Sequence, residues 1–251
     1  MRTYCIGMCE MHNQKHSSSI MEDISIQPGV LHVPRGVLEA CQNHLRMVIE
    51  TNKSLNLTRI DTFEEGMLLH VEDSLTALPL FESAPEGWYL DMGTGAGFPG
   101  IPLALATKRK TVLVDARKKK VKVLNDFLQQ LQIGDYVSAI SERIEALPSM
   151  YKDKFAVITA RALSQTSVLM EFATPLLLRG GWLICYKAQM AQQETDHLAS
   201  VANTLGLTQI FSSKFLLSDD QTQRTLLVFQ KTHKASIKLP RLNGYAQKHP
   251  L

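Results

Sequence analysis

The chain has 251 residues, 45% of them hydrophobic and 20% charged, with a mean hydropathy of −0.06, a balance that excludes both a disordered chain and a membrane-embedded one. No uninterrupted apolar stretch nears the ~18 residues of a spanning helix, since Arg179 and Lys187 break the richest segments, and residues 1–20 hold Glu10 and two histidines without an apolar run; neither anchor nor secretory signal is expected, and the cytoplasm is the predicted location. Net charge is only +3, but from Gln221 onward there are six basic residues and no acidic one, against 21 basic and 24 acidic residues before it.

That asymmetry suits a chain that touches a polyanion at one end, and a solvated tail without a partner gives the same count. In chain order, residues 1–33 read as a disordered or upstream-start extension. They carry Cys5-x3-Cys9-x2-His12-x3-His16 ahead of Met21, a second candidate start. The composition is metal-like, but the two pairs lack the usual intervening finger, and no metal site is expected. With Cys41 and Cys185 they make four scattered cysteines, read as reduced thiols.

Residues 34–86 predict a helical extension. Val37, Leu38, Cys41, Leu45, Val48 and Ile49 recur at spacings of three and four, as do Phe63, Met67, Leu68, Val71, Leu75 and Leu78. Asp61 with Glu64 reads as a capping box opening the second helix, and Pro79 as its end. After Gly87 short apolar runs alternate with helical stretches. Strands are expected at 88–92, 111–115, 136–140, 155–160, 182–186, 209–217 and 225–230, and helices at 98–107, 118–131, 164–178 and 191–205. Such alternation implies right-handed crossovers and a mostly parallel sheet covered on both faces. Only Ser218–Arg224 joins the last two strands, too short for a helical crossover, so those should pair antiparallel. The domain expected over 87–232 is followed by a basic tail, 233–251.

The most informative segment is Asp91-Met-Gly93-Thr-Gly95-Ala-Gly97-Phe98-Pro99-Gly100, running from a strand into a helix. Its glycines let backbone approach a ligand, and Pro99 suits a first helical turn. Gly95-x-Gly97-x-x-Gly100, with Asp115 twenty residues on, also satisfies the dinucleotide fingerprint, so NAD competes for this loop. Asp91 discriminates: a carboxylate there repels a pyrophosphate and suits the ammonium and sulfonium of S-adenosylmethionine. Asp115 can take ribose hydroxyls in either case, and a glycine turn with no ligand is the third reading.

The run DMGTGAGFPGIPLA resembles the first motif of the bacterial 16S ribosomal RNA guanine-N7 methyltransferases. Further similarities follow in order: Asn56-Leu57-Thr58, His70-x-x-Asp73-Ser74, Asp115 with Lys119-Lys120-Val121, Arg143-Ile144-Glu145, Arg161-Ala162, Lys187 after Gly180-Gly181, and the basic ending with Leu239-Pro240-Arg241 and Pro250-Leu251. The resemblance covers about residues 35 to 251. It implies an α/β class I S-adenosylmethionine-dependent methyltransferase (Rossmann-like) fold with a mostly parallel seven-stranded sheet and a small helical N-terminal extension. It places Gly93 and Phe98 against the methyl donor, the backbone of Ile144 and Glu145 near the adenine, and Arg161 at the methionine or substrate end. The cofactor implied is S-adenosylmethionine. The partner implied is 16S rRNA or an assembling small ribosomal subunit, and a monomer is expected. Two departures, Ala188 after Lys187 and Asn243-Gly244-Tyr245 within the tail, fall on the RNA-docking side rather than the cofactor loop.

The acceptor atom is argued by absence. Thr159-Ala160-Arg161-Ala162 stands where exocyclic-amine methylation shows an Asn/Asp-Pro-Pro-aromatic segment, and Cys185, in an apolar strand, is a poor nucleophile for pyrimidine C5. Guanine N7 has a free lone pair and no proton to lose, so it needs positioning rather than a base. Arg161 and Lys187, at the carboxyl ends of the fourth and fifth strands, are the expected catalytic pair, and sheet-edge salt bridging is their plain alternative. His70, Asp73 and Ser74 share one helix stripe and read as packing beside the cofactor loop rather than a hydrolase triad. Arg117, Lys119 and Lys120 lie in the first turns of a helix, where the macrodipole disfavours cations. With Lys238, Arg241 and Lys248 they are the expected RNA contacts.

Overall fold

The computed structural model describes residues 33–188 and 192–251; the Cys/His cluster and Met21 lie outside them. The extension comprises α1 (Arg35–Asn52), α2 (Phe63–Gly66), a π-helical turn (Met67–Glu72), α3 (Asp73–Leu75) and α4 (Leu78–Ser83). Seven strands follow, β1 (Trp88–Met92), β2 (Thr111–Asp115), β3 (Val137–Ser141), β4 (Phe155–Arg161), β5 (Leu177–Lys187), β6 (Leu207–Leu216) and β7 (Gln223–Lys231), interleaved with α5 (Gly100–Thr107), α6 (Lys118–Gln130), α7 (Pro148–Tyr151), α8 (Thr166–Ala173) and α9 (Gln192–Leu205). A last turn, α10 (Tyr245–Lys248), closes the chain.

The strands form one sheet in the order β3-β2-β1-β4-β5-β7-β6. β7 runs antiparallel to both β5 and β6; the other neighbours are parallel. The order reverses direction between β1 and β4, the position where open α/β sheets leave a crevice at their carboxyl edge. On one face α1 and α5 pack Cys41, Leu45, Val48, Ile101 and Ala104 together with Leu124 and Phe127 of α6. On the other, Val168, Leu169 and Met170 of α8 and Leu198, Val201 and Leu205 of α9 cover Leu90, Met92 and Leu183. α6 shows the expected amphipathic period, burying Val121, Leu124, Phe127 and Leu128.

Four local expectations are corrected. The cap of α2 is Thr62, whose hydroxyl accepts from Glu65 N at 3.3 Å, one residue later than the expected Asp61. Pro79 does not end a helix; it sits in the first turn of α4, where its missing N–H costs nothing. α5 starts at Gly100 rather than Phe98, because Thr94 to Phe98 form a turn with Gly97 N on Thr94 O. α8 stops at Ala173 rather than 178: Pro175 cannot continue it, and Leu177 pairs as strand with Phe155.

The tail is docked. Thr232 N donates to Gly206 O and Ser236 N to Thr204 O, Ile237, Leu239 and Leu251 pack against the core, and Ala246 is buried within it. Arg241 forks onto the buried carboxylate of Glu171, its Nε 2.7 Å from Oε1. Arg241, one of the expected RNA contacts, is thus held by a carboxylate 70 positions upstream. Lys238 and Lys248 stay exposed.

Candidate functional site

The residues of the glycine loop have separate tasks, set by what a Cβ would meet. Gly93 and Gly95 adopt φ of +70° and +60°, the left-handed backbone that other residues rarely take. A Cβ on Gly95 would meet only Gly93 O at 3.9 Å and Lys120 Nζ at 4.0 Å, so this backbone faces open space. Gly100 is different, since a Cβ there would strike Leu113 at 2.3 Å and the Asp91 carboxylate at 2.7 Å. It lets α5 press onto the sheet.

That open space is a cavity of ≈ 500 Å³ at the carboxyl edge of β1, β2 and β4, lined among others by Gly93, Gly95, Asp115, Ile144, Arg161 and Phe172. Phe98 and Glu145 also line it, as do Arg117 and Lys120. Asp91 and Gly97 do not. Asp91 lies fully buried beneath the loop, with Oδ2 accepting from Gly100 N at 2.9 Å and Oδ1 from the Thr159 hydroxyl at 2.7 Å. Burial raises its pKa against the pull of those hydrogen bonds and of Arg161. The expected direct pairing of Asp91 with a ligand cation is thus corrected to a loop-holding role. Gly97 makes room for α1 instead: a Cβ there would stand 3.0 Å from the His44 ring, whose Nε2 donates to Ala96 O at 2.9 Å. Asp115 lines the cavity as expected and spends Oδ1 on Arg117 N.

The second wall comes from the extension. His70, in the π-helical turn, stacks on Phe98 with centroids 4.5 Å apart and 6° between planes. Arg161 can only donate, so its contact at 3.2 Å makes His70 Nδ1 the acceptor, and Nε2–H donates to the Thr58 hydroxyl at 2.9 Å. Burial and the neighbouring Arg161 push the His70 pKa down to about 3, keeping the ring neutral. Arg161 also donates to Leu69 O at 3.0 Å and to Asp73 Oδ2 at 2.9 Å, while Arg224 takes Asp73 Oδ1 at 3.0 Å. His70 and Asp73 therefore meet Arg161 beside the loop, as the helix stripe implied. Ser74 turns inward, its hydroxyl on His70 O.

The third wall is the tail. Glu145 accepts from Arg143 at 2.8 Å and from Gly244 N at 2.8 Å, and Gln247 lines the cavity beside it. Burial would raise the Glu145 pKa, but these donors bring it below the ordinary range. Sequence reasoning missed Gln247 and His44, and gave Thr58, though part of the Asn56-Leu57-Thr58 motif, no task of its own. Gln247 carries no motif, a lone His44 on an apolar face reads as core, and Thr58 shows its role only once His70 is placed.

A second cavity of ≈ 390 Å³ shares His70, Arg161 and Ala162 with the first and continues over Tyr186, Lys187 and Arg224. Lys187 Nζ lies 3.4 Å from Ser164 O. Arg161 and Lys187 are thus brought to one cavity, while Arg117 and Lys120 line the first and Lys119, between them on the chain, does not. Arg117 and Lys119 are exposed, whereas half-buried Lys120 donates to Leu57 O at 3.0 Å.

Residues 37–226 match the family described as rRNA small subunit methyltransferase G. Ribosomal RNA small subunit methyltransferase G of Lachnoclostridium phytofermentans is 33% identical over 217 residues, 85% of this chain and 89% of that protein. The protein of the same name from Staphylococcus aureus is 32% identical over 84% of this chain and 88% of its own. The chain belongs to the rRNA small subunit methyltransferase G family. The fold is shared by solved methyltransferase structures. The O-methyltransferase from Bacillus cereus in complex with SAH superposes with a TM-score of 0.54 at 16% identity, over 75% of this chain and 91% of that one. The geranyl diphosphate C-methyltransferase from Streptomyces coelicolor gives 0.50 at 12% identity, over 64% and 81%. The class I methyltransferase fold and the methyltransferase G membership agree with the sheet order and the glycine loop. Among the described residues, no helix is long and apolar enough to cross a membrane.

Proposed function

We propose that this chain transfers the methyl group of S-adenosylmethionine to N7 of a guanine in 16S rRNA, acting as a cytoplasmic monomer on the RNA or on an assembling small subunit. The observation that carries this reading is the pair of adjoining cavities divided by Arg161 and His70, one walled by the glycine loop and the other by cations. Residues 34–86 then act as a wall-building extension, 87–232 as the catalytic domain and 233–251 as a docked tail.

The first cavity fits the donor. Gly93 and Gly95 offer bare backbone to the methionine part, Asp115 keeps a carboxylate oxygen for ribose hydroxyls, and Ile144 and Phe172 offer apolar walls to the adenine next to Glu145. Phe98 holds the loop against His70, and Asp91 and Gly97 act on the donor only through that loop. When bound, S-adenosylmethionine would supply an electrophilic methyl carbon: the N7 lone pair would form the new N–C bond as the sulfonium S–C bond breaks, releasing S-adenosylhomocysteine and leaving the positive charge on 7-methylguanine, with no proton lost.

The second cavity fits the acceptor. Arg161 and Arg224 share one carboxylate, Asp73, in a cavity that Lys187 also lines; two guanidiniums on one carboxylate leave a positive field that suits a nucleotide phosphate and guanine O6. Asp73 and His70 fix the Arg161 guanidinium at the boundary, which makes Arg161 and Lys187 the residues that position the base. Rate then comes from orientation in a preorganised field rather than from proton transfer. The test is chemical: purified protein with S-adenosylmethionine yields 7-methylguanosine in small-subunit RNA, read as strand scission after borohydride and aniline. Methyl on another atom, or a rate that collapses as a base of ordinary carboxylate or histidine pKa becomes protonated, overturns the reading.

A further inference from the structure

The edge of the sheet opposite these cavities is where β1, β2, β4 and β5 begin and β7 ends, and the strand order sets its charges side by side. Lys110 precedes β2, Trp88 opens β1, Lys152 and Lys154 precede β4, Arg179 lies at the start of β5, and Lys234 follows β7. Lys110 Nζ and Lys154 Nζ stand 4.4 and 4.3 Å from the centroid of the half-buried Trp88 ring. Beside them opens a groove of ≈ 650 Å³, rimmed by Lys152, Arg179 and Lys234 over a floor of Leu178, Ile237 and Leu239.

Among the described residues the one acid lining the groove, Asp153, is engaged, while the exposed Glu86 and Asp135, before β1 and β3, do not line it. Asp153 lies 2.6 Å from Lys231 Nζ, which also donates to Leu177 O. Glu86 faces Arg109, whose guanidinium is spent on the carbonyls of Phe81, Ala84 and Pro85. Among the described residues, Lys110, Lys152, Lys154, Arg179 and Lys234 make no ion pair, and all five are exposed. Unpaired like charges along one edge repel one another and are relieved by a polyanion whose counterions they displace.

We propose that this edge docks a second stretch of the RNA, with phosphates on Lys152, Arg179 and Lys234 and unpaired bases over the apolar floor. The proposal rests on the rRNA substrate reading. Strands of five to seven residues at about 3.3 Å each hold the two edges roughly 20 Å apart, so the groove is separate from the acceptor cavity and contributes to holding the RNA rather than to chemistry.

The test is the triple variant Lys152→Gln/Arg179→Gln/Lys234→Gln, made on exposed side chains and checked for an unchanged melting temperature. Binding to small-subunit rRNA is measured across salt concentrations. Each lost phosphate contact lowers the log-log slope by roughly 0.7 to 0.9, so the triple variant loses about 2 units. KM for RNA rises about tenfold, with kcat and S-adenosylmethionine affinity unchanged, and Lys152→Arg/Lys234→Arg keeps the slope. An unchanged slope and KM overturn the proposal, as does binding to phosphatidylserine vesicles that needs these cations while the RNA slope does not. A wild-type protein that binds RNA without methylating it overturns the methyl-transfer reading, and the slope difference still decides the groove.

Discussion

The glycine loop and the C-terminal tail both wall the first cavity, yet they reach it by opposite routes. The loop does so locally: within ten residues Asp91 accepts from Gly100 N, and Gly93 and Gly95 take left-handed backbone that faces the cavity. The tail does so across the chain, through Gly244 on Glu145, 99 positions away, and Arg241 on Glu171, 70 positions away. Local constraint leaves a spacing in the sequence. Distant pairing leaves only a charge count, which a free basic tail shares.

The largest effect sharpens the loop side. Gly95→Val puts a branched side chain into the cavity and removes S-adenosylmethionine binding altogether, while the protein stays folded at a strain cost of about 1–2 kcal/mol for the left-handed backbone. Calorimetry beside a melting curve checks both halves; a Gly95→Val protein that still binds donor breaks the assignment. Next in size, Arg241→Gln strands the buried Glu171 carboxylate and costs about 3 kcal/mol, read as a fall in denaturation midpoint. A tail that served only RNA would lose nothing there.

The pH dependence tests how the extension closes the loop. His44 and His70 are both pushed down to about 3 by burial, below the ordinary value of 6.5. Their neutral forms fit the fold, so their stabilisation is complete above 6.5 and is lost as pH falls toward 3. Between pH 7 and 5 each histidine contributes a loss of about 2 kcal/mol. His44→Gln, which can still donate to Ala96 O, should flatten that part of the stability curve; an equally steep variant contradicts the account. The smallest effects belong to the exposed cations of the tail: Lys238→Gln and Lys248→Gln move stability by less than about 0.5 kcal/mol.

What the sequence made legible follows the same division. The alternating runs fixed seven strands and their antiparallel ending, because period and connection length are local quantities. The stripe of His70 and Asp73 pointed to packing beside the loop, and Arg161 at the end of β4 completed it. Asp91 was read at the right place but facing the wrong way, since whether a strand-end carboxylate turns to ligand or to a helix N–H depends on how closely Gly100 lets α5 approach. The cap at Thr62 was hidden by Asp61, an equally good local signal, whereas the early end of α8 was legible at Pro175, a residue a helix cannot run through. Gln247 was invisible: only the docked tail, anchored by Ala246 and Leu251 in the core, brings it to the cavity.

The most direct measurement titrates S-adenosylmethionine into wild-type protein and into a chain ending at Asn243, well below the melting temperature of either. That truncation keeps the Arg241–Glu171 pair and removes only Gly244, Ala246, Gln247 and the residues around them. If loop and tail jointly wall the donor cavity, affinity falls about tenfold and NAD gives no heat with either protein. Equal affinity in the two proteins would show that the tail has no part in the donor site, and measurable NAD binding would contradict the donor assignment itself.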